Sequence, residues 1–410
     1  MKTLIVLECE RYIQPFMRAM LNVAQDHYDK IIIITNPLKK GDSIKSGKIS
    51  HIEIENKIRK ESIISAPLRL FSNDTLKQIT AAIFKRKFNK EYLNILRLYL
   101  CYGKAFYKQA KPYVKDGLKN GEVHVLSCWF AVEAWSTSRL KKEFPKVKAF
   151  SLAHSFEIDP LKNKFVDSTF NSYKHKYLDK IFFISSKMRN IYNENTHNKY
   201  AQKYKFQMDV SYLGCIKLFD GMNPYLDDGK IRLVSCSYVR PEKRIDLIMD
   251  VVSKWTLCPI QWIHYGNGPL LEVMQQRANE TMKFNKNVEI NFKGYVNNED
   301  VQKSYMTEPV DIFINLSSSE GVPVAIMEAI AYGVPVVATD VGGVCEIIED
   351  EHGLLIGADD NADTIKCALE QFIKKYQQNA IVKRDAAFSF WESHFDAKKN
   401  YEKFFCNLGK

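Results

Sequence analysis

Two glutamates, Glu320 and Glu328, stand with seven residues between them around the apolar stretch PVAIMEAIAY (323–332). Glu328 is the only charge in that stretch, and Met327, Ala329 and Ile330 flank it. Proline is tolerated in the first turn of a helix and glycine favours its end, so a helix is expected from Pro323 to Gly333. A lone carboxylate on a largely buried helix is costly unless something hydrogen-bonds it. Two adjacent hydroxyls of a ribose would do so, and a solvated stripe on an amphipathic helix is the equal alternative. Gly321, just before the helix, would leave free N–H groups able to receive a phosphate or sugar hydroxyls. A second charged group, YVRPEKRID (238–246), follows the run IRLVSCS. By itself it reads as a solvated charge run at a helix start.

Elements that alternate must position these residues. Short β-branched or apolar runs recur at 3–8, 30–36, 51–56, 124–129, 147–155, 180–185 and 208–214. The series restarts at 231–237, 259–266, 288–294, 312–317, 334–340 and 353–357. Runs that are apolar on both faces and alternate with helical stretches indicate buried parallel strands with crossover helices. LFDGMNPYLDDGK (218–230) supplies the Gly, Pro and Asp of a linker between the two series. The expectation is an α/β chain of two doubly wound, Rossmann-like domains, with ligands at the carboxyl ends of the strands and a cleft between the domains. The domains are placed at 1–216 and 217–388, with a final helix over 389–410.

At 410 residues the chain is too long for one typical core. Its nine cysteines are scattered and form no C-x-x-C pair, which disfavours zinc and thioredoxin-like chemistry and fits reduced thiols. MKTLIVLECERY reads as a first strand rather than a leader, because Glu8 and Glu10 interrupt its apolar run. Residues 1–216 hold 38 Lys and Arg against 20 Asp and Glu, a net +18, and the remainder is −7. A basic first half suits a membrane surface, a lipid phosphate or an acidic polymer, or is a solvated lysine-rich face. Between about 75 and 120, Lys85, Arg86, Lys87, Lys90 and Arg97 are interleaved with aromatics in a helical stretch. That pattern fits an anionic membrane surface or ordinary amphipathic helices. No nucleic-acid-binding module is recognisable, and no nucleic-acid partner is expected.

The block from Glu320-Gly321-Val322-Pro323 through Glu328-Ala329 to Gly333-Val334-Pro335 … Asp340-Val341-Gly342-Gly343 … Glu346 resembles the signature of retaining family 4 glycosyltransferases of the GT-B fold. The resemblance implies that Glu320 binds donor-sugar hydroxyls and Glu328 the nucleotide ribose. It places the backbone of Gly321, Val322, Pro323 and Val324 against sugar and diphosphate. Lys243 matches the family's diphosphate-binding lysine. The family's arginine position holds Tyr238, and Arg240 is the substitute. Such cations would stabilise the charge that develops on a departing diphosphate. Gly268, in Gly266-Asn267-Gly268-Pro269, resembles the family's glycine turn, although a simple turn is the plainer reading. Tyr295 falls where relatives hold the base. Ala153-His154-Ser155-Phe156-Glu157-Ile158-Asp159 is similar to the family's H-G-x-D segment, with Ser155 for the Gly and one extra residue. His154 would contact donor or acceptor, or serve as a structural histidine. Glu8-Cys9-Glu10-Arg11 replaces the glycine-rich loop of many relatives. The tail, Trp391-Glu392 … Phe395 … Tyr401 … Phe404, resembles the family's last helix, which crosses back to the first domain.

The implied activity is metal-independent retaining transfer from a UDP- or GDP-sugar to a glycan or lipid-linked hydroxyl, in cell-surface polysaccharide synthesis. His154 and Glu320 are its candidate catalytic residues. No cofactor, metal site or covalent nucleophile is expected. The implied location is the cytoplasm, or peripheral to the inner face of the cell membrane. A nucleotide-sugar epimerase and a non-catalytic sugar-nucleotide-binding protein are the alternatives.

Overall fold

A computed structural model of the chain describes all residues except 11–13, 39–46, 71, 85, 159–169, 198–203, 205 and 409–410. Arg11, Lys85 and Asp159 therefore lie outside the described residues. The chain divides into two compact units, Met1–Tyr212 with Tyr401–Lys410, and Leu213–Asn400.

The first unit holds a seven-stranded sheet: β1 (Lys2–Glu8), β2 (Lys30–Thr35), β3 (Ile49–Glu53), β4 (Glu122–Ser127), β5 (Lys148–Ala153), β6 (Lys180–Phe183) and β7 (Gln207–Val210). Its order is β3-β2-β1-β4-β5-β6-β7, and every pair is parallel. The second holds β8 (Ile231–Cys236), β9 (Ile260–Tyr265), β10 (Val288–Gly294), β11 (Ile312–Asn315), β12 (Val336–Thr339) and β13 (Gly353–Ile356). Their order is β10-β9-β8-β11-β12-β13, again all parallel. Each of the thirteen apolar runs thus overlaps a strand.

The physical reason is burial on both faces. Ile31 to Ile34 of β2 and Leu4 to Leu7 of β1 are essentially inaccessible. Alternation toward solvent is therefore absent, and β-branched residues pack against helices above and below. In the second unit Trp255 and Trp262 anchor the core on one side of the sheet, with Ile248, Met249 and Ile312 around them.

Two local expectations need correction. Pro323 is the cap rather than the first helical residue, because the helix runs Val324–Ala331 and Pro323 is extended (φ −73, ψ 115). The presumed linker is also partly core. Asn223 is 4% exposed and donates through Nδ2 to the carbonyls of Tyr305 (2.6 Å) and Glu308 (2.8 Å). Arg384, 2% exposed, donates to Asn223 O (2.6 Å), Asn223 Oδ1 (2.8 Å) and Val310 O (2.9 Å). An unpaired buried polar group costs free energy comparable to a lost hydrogen bond, so the guanidinium keeps these acceptors affordable in the interior.

Arg384→Met, which keeps the stem and removes the donors, should destabilise the second unit by about 3 kcal/mol. For a unit of this size that lowers its melting midpoint by roughly 6–12 °C, measurable by calorimetry or circular dichroism. A midpoint unchanged from the parent would show that water satisfies these carbonyls instead.

Candidate functional site

In the second sheet the strand order reverses between β8 and β11, so the loops leaving their carboxyl ends diverge and open a crevice. The β8 loop ends in a short turn, Pro241–Lys243, followed by Arg244 in a left-handed conformation (φ 44, ψ 45). Arg244 Nε donates to Leu316 O (2.6 Å) and Nη1 to Ala358 O (2.9 Å). The Ser318 amide donates to Glu242 O (2.8 Å). The two loops are thereby tied at their bases.

This clamp sets Lys243 against Glu320, Nζ to Oε1 at 2.7 Å, with Glu320 8% exposed. Asn315 Nδ2 donates to the same oxygen at 3.2 Å. The loop carrying Glu320 is packed from behind by the turn after β12. A Cβ on Gly342 (φ +60) would sit 2.1 Å from Glu320 O, and the Gly343 amide donates to Gly321 O at 2.7 Å. Only glycine allows that approach.

Glu328 lies on the helix that follows, 6% exposed, so the buried reading holds over the solvated stripe. Its Oε1 accepts from Asn298 Nδ2 at 2.7 Å. Asn298 Oδ1 accepts from Gln302, whose Oε1 accepts from Tyr332 OH at 2.9 Å. Burial pushes the Glu328 carboxyl up to about 7, partly offset by Asn298. The chain Asn298–Gln302–Tyr332 escaped sequence reasoning, since polar residues on an unrelated helix carry no local mark of their partner.

The other candidates are more dispersed. Arg240 is half-exposed, pairs with Glu242 (3.0 Å) and lies over the Tyr238 ring at 5.1 Å. Tyr295 is 79% exposed. Gly268 packs its turn so closely on the β8 loop that a Cβ would meet Val239 O at 2.4 Å. Lys243, Glu320 and Gly321 to Val324 are the group that the fold brings together, with Glu328 one segment on.

In the first unit the order reverses between β1 and β4, and His154 follows β5 nearby in the sheet. It is 8% exposed, lies against Trp129 with the rings tilted by 32° (4.3 Å between centroids) and bonds through Nε2 to Cys128 O at 3.0 Å. A carbonyl can only accept, so Nε2 carries the proton and Nδ1 is the acceptor. Burial pulls its pKa down to about 4, so the ring is neutral near pH 7. Glu157 accepts from the amides of His154 (2.6 Å) and Phe130 (3.0 Å) and is held well above the carboxylate range by burial.

Glu8 is fully buried and accepts from Trp129 Nε1 (2.8 Å) and the Glu10 amide (2.9 Å). Burial pushes Glu8 to about 7 and Glu133 to about 8. Glu8, Cys9 and Glu133 bring ligand atoms within 4.8 Å of one another, a set able to hold a metal ion. A proton retained on Glu133 at neutral pH does the same neutralising work.

The architecture, two parallel sheets flanked by helices, is that of the solved structures named below. Over residues 223–387 the chain matches the family model described as glycosyl transferases group 1. Among curated proteins it is similar to a putative teichuronic acid biosynthesis glycosyltransferase, TuaC, of Bacillus subtilis, at 30% identity over 141 residues (34% of this chain, 32% of that one). It is also similar to the O-antigen biosynthesis glycosyltransferase WbnH of Escherichia coli, at 31% over 135 residues (33% and 35%). The matched regions span about a third of these relatives. Among solved structures, Anabaena HepE in complex with UDP aligns over the whole of both chains with a TM-score of 0.65 at 11% identity. The lipopolysaccharide outer core galactosyltransferase WaaB aligns over 98% of each chain, with a TM-score of 0.64 at 15% identity.

A raised folded-state pKa at Glu328 means that the folded unit binds more protons than the unfolded chain between about pH 4.5 and 7. The associated stability is complete below that window and is lost as pH rises through 7. Between pH 5 and 8 the parent should lose about 2–3 kcal/mol relative to Glu328→Gln, read from denaturant melts of both proteins. A pH-independent difference would contradict the burial of an ionisable group at this position.

Proposed function

We propose that this protein transfers a sugar, with retention at the anomeric carbon, from a nucleoside diphosphate donor to a hydroxyl of a glycan or lipid-linked acceptor. The observation that carries the reading is the Lys243–Glu320 pair at the reversal of the second sheet, one segment before the buried Glu328. Cell-surface polysaccharide assembly is supported by relatives named for teichuronic acid and O-antigen synthesis. A uridine donor is supported by the HepE structures, solved in complex with UDP and with UDP-glucose.

In this reading Lys243 leaves Glu320 for the diphosphate when the donor enters. Glu320 turns to the sugar hydroxyls, and Glu328 accepts from the ribose. The free amides at the start of the helix Val324–Ala331 face the phosphates. The bond from the anomeric carbon to the phosphate oxygen breaks, and the acceptor oxygen bonds to that carbon on the same face. The acceptor proton passes to the departing phosphate, whose charge Lys243 stabilises. Neither a metal nor a protein nucleophile takes part. His154, neutral with Nδ1 as its acceptor, would receive a hydrogen bond from a sugar hydroxyl rather than act as a charged acid. Arg240 would reach the diphosphate after releasing Glu242. The location is cytoplasmic, at the membrane face where lipid-linked acceptors are presented.

Lys243→Ala, Glu320→Ala and Glu328→Ala should each reduce transfer by about 10²-fold or more with the true donor. That donor is found by a thermal-shift screen of nucleoside diphosphates and their sugars. Near-normal turnover in all three variants would sink the assignment. Consumption of donor without an acceptor, giving an isomeric nucleotide sugar, would favour an epimerase. Donor binding with no turnover of any donor would favour a binding protein.

A further inference from the structure

Four helices of the first unit, Asn56–Ile64, Ala66–Arg69, Asn73–Phe84 and Lys90–Leu98, do more than cover their sheet. Their inner residues, among them Ala82, Tyr92 and Leu96, join a buried cluster with Leu100, Trp135 and Phe170. Their outer faces are unusually apolar. Phe84 is 84% exposed, Ile64 78%, Leu68 77% and Ile83 55%. Between the first two helices and the fourth runs an apolar cavity of about 300 Å³, lined by Ile63, Pro67, Leu70, Leu93 and Leu100 with Arg97 at its edge. Scattered exposed hydrophobics are ordinary, but clusters of large ones mark interaction surfaces.

Charge identifies the partner. Residues 56–98 contain ten Lys and Arg against three Asp and Glu. Lys57, Lys60, Lys77, Lys90 and Arg97 are exposed on the same helices as the apolar side chains, and Arg86 is exposed in the turn after the third helix. Two copies of this chain meeting through this face would set one positive surface against another. An anionic bilayer satisfies both features at once, its interface taking the apolar side chains and its phosphates the cations. Among the described residues no helix is long and apolar enough to cross a membrane, so the face would lie on the bilayer rather than span it.

We propose that the helices over 56–98 form a docking face for an anionic phospholipid bilayer. Ile64, Leu68 and Phe84 enter the interface, Lys77, Arg86 and Lys90 contact lipid phosphates, and the cavity takes part of a hydrocarbon chain. This deepens the proposed transfer to a lipid-linked acceptor, on which it rests for its purpose but not for its test.

The test is flotation of the full chain with vesicles of phosphatidylcholine alone and of phosphatidylcholine mixed with phosphatidylglycerol, at low and high salt. Binding at least tenfold stronger to the anionic vesicles, and weakened by salt, is expected. Leu68→Ser with Phe84→Ser should lose at least tenfold on anionic vesicles. Lys77→Gln with Arg86→Gln and Lys90→Gln should lose the preference for anionic lipid. Both variants alter exposed side chains, so circular-dichroism melts and UDP affinity should match the parent. Absence of flotation, equal binding to both vesicles, or parental binding by both variants would overturn the proposal. So would a parent that self-associates through this face and leaves the vesicles unbound. Failure of the parent to bind any sugar nucleotide would refute the transfer reading while leaving the flotation result to stand on its own.

Discussion

The guanidinium of Arg244 holds the second unit's crevice in shape. It joins a loop leaving β8 to backbone carbonyls of a loop leaving β11, 72 residues further along the chain. These loops lie beyond the hydrogen-bond ladder of the sheet, which stops at Cys236 and Asn315. Beyond the single backbone bond from Ser318 to Glu242, the Arg244 side chain is what fixes one against the other. The left-handed backbone at Arg244 costs a non-glycine residue about 1–2 kcal/mol, and its charge-assisted bonds to main-chain oxygens offset that cost. Lys243, the preceding residue, inherits its position from this arrangement.

Ionisable groups are buried here in two different ways. At the β8–β11 crevice Glu320 is buried as one half of an ion pair with Lys243. At the carboxyl end of the first sheet burial favours the neutral forms. His154 falls to about 4, Lys174 to about 7, and Glu8 and Glu133 rise to about 7 and 8. Both routes avoid an isolated buried charge. They present different chemistry to a ligand, however. The paired site already contains a cation that can be redirected to an anion. The neutralised site offers donors and acceptors to uncharged polar groups.

The fold was legible because parallel strands covered on both faces read as continuous apolar runs, and KIIIIT and TLIVL have no competing interpretation. Glu320, Glu328 and Lys243 were legible because they fall on one contiguous motif and one loop. The partners of those residues were not. Asn298 lies on a helix 30 residues from Glu328, and no period or spacing announces that its amide will meet that carboxylate. Arg244 looked like one more member of a solvated charge run. The segment 218–230 has a linker's composition, yet Asn223 belongs to the interior because Arg384 supplies its donors. The burial of Glu328 itself was undecidable from the pattern, since an amphipathic stripe and a buried helix can place one glutamate alike.

The contact between Asn223 and Arg384 joins positions 161 residues apart. Asn223 precedes the first strand of its sheet, whereas Arg384 follows the last. During synthesis all six strands are polymerised before the arginine that satisfies Asn223. Until then the Asn223 carbonyl lacks the donor that Arg384 supplies in the folded unit. Shortened products ending before residue 384 would retain a polar defect beside Asn223 and Val310.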